Sequence, residues 1–214
     1  MNRMEYYNSI YDKFWQRQTH RYGVTEYEKV VLNSILKKNA KNVFSCAIGT
    51  GWPIEQKLYN NGVNVDGCDV AENSVKEAQK KLGNNSGIWV GVIDDYKSDV
   101  KKYDVVYCMR ASWYISHFEN VIIKMIDMCK DDGMVIFDIM PKEKYSNFIE
   151  IINEKYLEWV GVRNDTPKFC YYSLNKIKRI LYKNNFNIKI VKEEEIFKGK
   201  SKCNSHKIII IGER

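Results

Sequence analysis

The stretch Asn42–Ile54, N-V-F-S-C-A-I-G-T-G-W-P-I, decides how the chain is read. Its first half is a short apolar run of strand type, and its second half is a glycine turn leading into helix-compatible sequence. Pro53 suits the first turn of a helix, where its missing N–H would lack a partner anyway. A buried strand, a tight glycine turn and a helix form the unit with which α/β proteins hold a nucleotide-like ligand. The glycines let the backbone approach, and free N–H groups at the helix start point at the ligand's polar atoms.

Downstream, the same unit recurs. The turn leads into a helix over Trp52–Asn60, closed by Asn61-Gly62, and then a strand, V-N-V-D-G-C-D-V, over residues 63–70. A helix over Ser74–Leu82 stops at Gly83 and is followed by a strand over Ile88–Ile93. Strand four is Tyr103–Cys108, a helix covers Glu119–Cys129, and Asp131-Asp132-Gly133 turns the chain into strand five, Met134–Asp138. Strand–helix repetition of this kind predicts a doubly wound parallel sheet with right-handed crossovers. The tail differs. After a helix over Ser173–Lys183, two strands, Phe186–Val191 and His206–Ile211, are joined by a polar connection without a helix. Such a pair is expected to be an antiparallel hairpin on the sheet edge, bringing the strand count to seven.

Upstream, two helices are expected to form a cap over residues 1–40. In the first, Tyr7, Ile10, Tyr11, Phe14 and Trp15 recur at three- and four-residue steps, an aromatic face on an amphipathic helix. The second runs from Thr25, a capping residue, to Lys38, with Tyr27, Val30, Val31 and Ile35 facing the core. The remaining domain, 41–214, carries an aromatic insertion at about 141–172 that includes Tyr145, Phe148, Tyr156, Trp159, Phe169, Tyr171 and Tyr172. It is expected to lie above the carboxyl ends of the strands as a lid.

At 214 residues the chain has ample length for one real core. The start has no apolar signal region, and no apolar run approaches the ~18–20 residues of a membrane span, so a cytoplasmic, membrane-free protein is expected. The 6 cysteines include no C-x-x-C pair. Cys46, Cys68 and Cys108 fall in core strands as small hydrophobes, and no metal is expected. The net charge of +7 divides as +4 over residues 1–45, −4 over 46–140 and +7 over 141–214. The basic flanks suit either an anionic substrate or simply lysine-rich solvated helices.

With these parts in this order, the chain resembles the class I S-adenosylmethionine-dependent methyltransferases over roughly residues 40–214. Their first motif is an apolar strand, an acidic residue and G-x-G-x-G. Here it reads F-S-C-A-I-G-T-G, with Gly49 and Gly51 at the last two glycines, Ala47 replacing the first, and Ser45 at the acidic position. In the family that acid helps to hold the amino group of the cofactor's methionine end. The acid that ends strand two, and grips the ribose hydroxyls in the family, is Asp69; Asp66 lies too early, inside the strand. After strand three, Asp94 or Asp95 matches the residue that reaches the adenine amino group, with Ile93 and Tyr96 flanking the ring. Y-D-V-V at 103–106 matches the opening of strand four, Asp132-Gly133 the turn before strand five, and the last helix and hairpin the family's tail, with Asn185 where glycine is common.

The resemblance therefore implies an α/β, doubly wound, Rossmann-like sheet, mostly parallel and seven-stranded, with the C-terminal hairpin and the N-terminal cap. It implies S-adenosylmethionine as cofactor, held by Ser45, Ala47, Gly49, Thr50, Gly51, Asp69, Val70, Ile93, Asp94, Asp95, Tyr96 and Arg110. The competing nicotinamide-type fingerprint also wants an acid about 20 residues past the turn, as Asp69 is. Its third glycine, however, would fall at Ile54, whose side chain obstructs close helix–strand packing.

Methyl transfer is an in-line displacement at a sulfonium, so alignment matters most, and a base is needed only if the nucleophile must lose a proton. His117, in R-A-S-W-Y-I-S-H-F after strand four, is the leading base candidate, with Tyr114 beside it and His20 on the cap helix as a further one. Trp113, Tyr114 and Tyr172 are expected at the acceptor, as are Tyr11 and Trp15, by cation–π contact or simply as core. Arg110 is a candidate clamp for an anionic acceptor, because guanidinium binds phosphate or carboxylate in a bidentate manner. His206 reads as structural. The expected partner is a small hydroxyl- or amine-bearing molecule, such as a phosphorylated, nucleotide-linked or sugar metabolite. Nucleic acid is not expected as a partner, since C-M-R-A stands where base-amine methylating enzymes have N/D-P-P-Y/F. An RNA or protein methyltransferase, or a non-catalytic cofactor-binding relative, are the other readings; oligomeric state is left open.

Overall fold

The computed structural model describes residues 24–84, 87–97, 103–144, 170–192, 196 and 207–214. Tyr11, Trp15, His20, His206 and the aromatic segment from Tyr145 to Phe169 lie outside the described residues. Helix α1 (Glu26–Lys37) precedes strand β1 (Asn42–Cys46). There follow α2 (Ile54–Asn60), β2 (Asn64–Asp69), α3 (Glu72–Lys81) and β3 (Ile88–Val90). The second half comprises β4 (Tyr103–Cys108), α4 (Phe118–Met128), β5 (Cys129–Ile139), α5 (Leu174–Lys183), β6 (Asn187–Lys192) and β7 (Ile208–Glu213).

These strands form one seven-stranded sheet in the order β3-β2-β1-β4-β5-β7-β6. The first five are parallel, while β7 runs antiparallel to both β5 and β6. The chain winds outward from β1 to β3, then returns to start again at β4, so the winding reverses between β1 and β4. The crevice at the carboxyl ends of these two strands is where such sheets take ligands.

Burial on both faces explains the apolar runs. Phe44, Cys46, Val106, Cys108, Val135 and Phe137 pack towards α4 and α5, whereas Val43, Val65, Val105, Met134 and Ile136 pack towards α1, α2 and α3. In β7, Ile208 and Ile210 join the first cluster and Ile209 and Ile211 the second. Each buried isoleucine contributes about 1.5–3 kcal/mol of transfer free energy, so this strand is strongly driven inward. The hairpin is therefore present, but its second strand is interior, and β6 forms the edge. That corrects the expectation of an edge strand from His206: the described strand begins at Ile208 and has a neighbour on each side.

Other boundaries shift for local reasons. Trp52 and Pro53 belong to the turn, joined by a cis peptide, and α2 begins at Ile54. The Asp-Asp-Gly turn becomes an irregularity within β5, whose pairing with β4 jumps from Tyr103↔Cys129 to Val105↔Met134. Thr25 caps α1 as expected, through a box in which its backbone N–H donates to Glu28 Oε2 at 2.9 Å. Asp104 explains the Y-D-V-V opening physically. Its Oδ2 accepts the Lys41 and Asn42 N–H groups at 2.8 Å each, and its Oδ1 pairs with Lys130 at 2.6 Å. Burial pushes its pKa up, but Lys130 and the two N–H groups outweigh that and hold it below the ordinary range. The carboxylate thus locks the start of β1 to β4. Among the described residues, no helix is long and apolar enough to cross a membrane.

Candidate active site

Two glycines and one alanine shape the turn that follows β1. Ala47, Gly49 and Gly51 all have positive φ, at 59°, 55° and 69°. This conformation is cheap for glycine and costs about 1–2 kcal/mol in other residues, which is why a glycine would be natural at position 47. A Cβ built on Gly49 would meet nothing within 4 Å, so the backbone there is bare on its outer side. A Cβ on Gly51 would press on Ala78 Cα at 3.2 Å, so this glycine serves close packing against α3. Gly67 in β2 allows the turn to settle, since a Cβ there would stand 2.6 Å from the Ser45 carbonyl oxygen and 2.9 Å from Ile48 Cδ1.

Asp69, at the end of β2, faces this turn. Its Oδ2 accepts the Gly49 N–H and its Oδ1 the Ala71 N–H, both at 2.9 Å. Burial pushes its pKa up, and the backbone N–H groups of Ala71, Gly49 and Val70 pull it back. Each oxygen keeps lone-pair capacity for a hydroxyl donor. Thr50 Oγ1, in the same turn, is buried and has no hydrogen-bond partner among the described residues. A bare glycine backbone, a carboxylate with spare acceptor capacity and an orphaned buried hydroxyl fit a ligand with a diol and polar substituents. They fit S-adenosylmethionine.

The remaining candidates divide. Ile93 is buried in the core on the α4 side, and Asp94 and Asp95 are exposed on a 3-10 turn, where Asp95 Oδ2 accepts the Val92 N–H at 3.0 Å. Tyr96 stacks on Trp89, with ring centroids 6.0 Å apart, and also packs on Phe44 and Tyr103. Asp66 is buried and accepts the Tyr103 hydroxyl at 2.9 Å, so it belongs to the core, not to the ribose position.

Across the crevice, the loop after β4 is held by buried carboxylates. Asp138, wholly buried near the end of β5, accepts the Arg110 N–H on Oδ1 at 2.8 Å and the Tyr27 hydroxyl on Oδ2 at 2.9 Å. Burial raises the Asp138 pKa to about 6, against the pull of those two donors and of the Lys207 and Arg110 charges. The Arg110 guanidinium reaches the buried Glu28 at 2.5 Å and lies over the Tyr27 ring, 5.8 Å from its centroid. Arg110 thus answers a carboxylate of α1 while its side chain stays half exposed. Farther along, Tyr172 is buried, and its hydroxyl donates to the Ser112 and Ile115 carbonyls, tying down the loop that carries Trp113 and Tyr114. Trp113 is buried too, with the Lys207 ammonium 4.3 Å from its ring centroid. His117 is exposed and precedes α4 in a left-handed conformation, φ 61°.

Under the glycine turn lies a group that the sequence did not single out. Ser45 is buried, and its hydroxyl donates to Glu55 Oε1 at 2.9 Å, as does the hydroxyl of Tyr107 on the neighbouring strand. Glu55 comes from the first turn of α2 and is itself buried. Burial pushes its pKa up, its own backbone N–H and the Ser45 and Tyr107 hydroxyls lower it, and the Glu28 charge raises it again. Ser112 Oγ, in the loop after β4, is a second buried hydroxyl without a partner among the described residues. Glu55, Tyr107, Tyr27, Glu28, Asp138 and Ser112 were all missed. A helix-start glutamate and a strand-end aspartate read as surface residues until their partners are known.

Comparison with known proteins agrees with this geometry. A family model described as a methyltransferase domain matches residues 44–137, from β1 into β5. The ubiquinone biosynthesis O-methyltransferase of Rickettsia prowazekii is 29% identical over 147 residues, covering 66% of this chain and 57% of that protein. That of Rickettsia bellii is 22% identical over 204 residues, covering 89% of this chain and 83% of its own. The first of these matches spans little more than half of the relative's length. Among solved structures, magnesium protoporphyrin IX methyltransferase of Synechocystis PCC 6803 with bound S-adenosylhomocysteine superposes with a TM-score of 0.67, at 18% identity, over 99% of this chain and 97% of that one. An S-adenosylmethionine-dependent methyltransferase of Clostridium acetobutylicum gives 0.62 at 15% identity over 99% of both chains. Residues 44–137 thus match a methyltransferase domain, and the chain has the sheet order, the glycine turn and the overall fold of S-adenosylmethionine-dependent methyltransferases.

Proposed function

We propose that the chain methylates a hydroxyl oxygen, or failing that an amine nitrogen, of a small anionic molecule. The observation that carries the anionic part is the Lys207 ammonium beside the loop after β4, 4.3 Å from the Trp113 ring centroid, since Arg110 is already paired with Glu28. The preference for oxygen rests on the O-methyltransferase relatives. In this reading Asp69 takes the ribose hydroxyls, the bare backbone of Gly49 faces the amino-acid end, and Asp94 or Asp95 meets the adenine amino group. The bound cofactor supplies an electrophilic methyl group on a sulfonium. Trp113 and Tyr114 shape the acceptor side and exclude water, so alignment of nucleophile and methyl carries much of the rate. The hydroxyl proton is taken by His117, the histidine of the loop on that side.

The test is a methyl-release screen over acidic phenols, phosphorylated sugars, nucleotides and amines, with calorimetry on the cofactor in parallel. Asp69→Ala should weaken S-adenosylhomocysteine by about 100-fold or more, the equivalent of two charge-assisted hydrogen bonds. His117→Ala with unchanged turnover would remove the base, and a preference for cationic acceptors would refute the anionic reading.

A further inference from the structure

A carboxylate buried with no positive partner needs an explanation, because taking a charge out of water is costly unless something answers it. Glu55 is 6% exposed. Among the described residues its carboxylate meets the hydroxyls of Ser45 and Tyr107 and its own backbone N–H, and no cation. The charged group nearest in effect is Glu28 of α1, which is of like sign and has the Arg110 guanidinium for itself. Ser45 of β1 and Tyr107 of β4 are lateral partners in the sheet, and both hydroxyls converge on the single oxygen Oε1. Oε2 accepts from no side chain of the described residues. The arrangement orients a carboxylate, brings both hydroxyls to one oxygen and places no cation beside it among the described residues.

Its position completes the argument. Ser45 stands two residues before Ala47, and Glu55 is the second residue of the helix that leaves the turn. The carboxylate therefore lies directly under the turn, on the β1–β4 side, while Asp69 flanks it on the β2 side with both oxygens on backbone N–H groups. S-adenosylmethionine brings an ammonium at its amino-acid end, and that cation needs an acceptor with negative charge. We propose that Glu55, aimed by Ser45 and Tyr107, holds the cofactor's ammonium, so that the helix supplies the charge that the strand lacks at Ser45. This rests on the cofactor being seated at this turn, and the experiment separates the two claims.

Two probes differ only at the relevant end. S-adenosylhomocysteine carries the ammonium and carboxylate, whereas 5′-methylthioadenosine has the same nucleoside without them. In calorimetry, Glu55→Gln should weaken S-adenosylhomocysteine by about 10–100-fold, the worth of one hydrogen bond to a charged group, and leave methylthioadenosine unchanged. Ser45→Asp combined with Glu55→Gln, which moves the charge back to the strand, should recover at least about half of that loss on a logarithmic scale. Equal weakening of both probes would make Glu55 a structural residue and overturn the proposal, as would no weakening of either. Absence of binding of both probes to the unaltered protein would refute the cofactor seat itself. If Glu55→Gln does not fold, Ser45→Ala and Tyr107→Phe provide the second test. Each removes a hydroxyl that favours the ionised carboxyl, so the acid-side loss of S-adenosylhomocysteine affinity should begin at higher pH, with methylthioadenosine affinity flat. The groups that face Glu55 in that titration are Ser45, Tyr107 and Glu28. An unmoved profile in both variants would overturn the proposal.

Discussion

Asp138→Asn should make the protein more stable at neutral pH and remove part of its pH dependence. The Asp138 carboxyl is wholly buried and has its pKa raised to about 6 by burial, against 3.8 for the free side chain. Between those two values the folded protein holds a proton that the unfolded chain has released. Stability therefore falls as pH rises through this window, and above it the folded state carries the full penalty of a buried charge. The gap from 3.8 to about 6, at about 1.4 kcal/mol per pH unit, amounts to about 3 kcal/mol. Asparagine keeps the geometry. Its Oδ1 still accepts the Arg110 N–H, and its amide can donate to the Tyr27 oxygen in place of the present bond. The assay is urea denaturation of both proteins from pH 4.5 to 8. Across this range the variant's advantage should grow by about 2 kcal/mol, the rest of the window lying below pH 4.5, and level off by about pH 7, equivalent to about 4–8 °C in Tm for a chain of this size. Glu55 and Asp69 are also raised and give slopes of the same sign, so only the difference between the two proteins is diagnostic. A difference that does not vary with pH would mean that Asp138 ionises alike in both states, and the reasoning would fail. Asp138→Ala is the control in the other direction: it removes the acceptor of the Arg110 N–H and of the Tyr27 hydroxyl and should cost about 1–3 kcal/mol.

The turn itself offers two further tests. Ala47→Gly relieves a residue held at φ 59° and should stabilise the fold by about 1 kcal/mol in urea denaturation. Gly67→Ala forces a methyl group to within 2.6 Å of the Ser45 carbonyl oxygen and should destabilise by about 1–3 kcal/mol. Because Ser45 orients Glu55, that variant should also bind S-adenosylhomocysteine less tightly.

How much of this was legible depends on how local each feature is. The parallel half could be read because each strand is a buried apolar run closed by a turn signal, and both cues lie within ten residues. The placement of Asp69 against the glycine turn was legible because it ends a strand at a fixed distance from that turn. The placement of β7 was not. Four consecutive isoleucines signal burial on both faces, but only the finished sheet shows which neighbours bury them. Arg110 read as a free anion clamp, whereas its partner Glu28 lies on a helix eighty residues away in sequence, and nothing local connects the two. Glu55 and Asp138 were missed for the same reason. A carboxylate near the start of a helix or the end of a strand is normally a solvated group that suits a dipole or a turn. Only three-dimensional contact turns it into a buried acceptor with two donors.

Backbone strain in the molecule is distributed in a way that supports this view of the rim. Asn39, Asn84 and Asn185 have positive φ near helix ends, where asparagine tolerates that conformation with little penalty. Ala47, Arg110 and His117 have it too, and none of them belongs to a residue type that favours it as glycine does. Ala47 and Arg110 sit just beyond the carboxyl ends of β1 and β4, and His117 ends the same β4 loop. Such conformations cost about 1–3 kcal/mol each and persist only where surrounding contacts impose them. At Arg110 the contacts are explicit: its N–H is fixed by Asp138 and its guanidinium by Glu28. At Ala47 the turn is pinned from both sides, by the Ile48 N–H donating to the Cys68 carbonyl and the Gly49 N–H donating to Asp69. The buried carboxylates of the rim therefore set the shape of the two loops that meet over the crevice. One of them, Glu55, has donors enough to be oriented but, among the described residues, no cation to neutralise it. In a rim whose other acids are spoken for by Arg110 and by backbone N–H groups, that uncommitted charge is the feature most in need of a ligand.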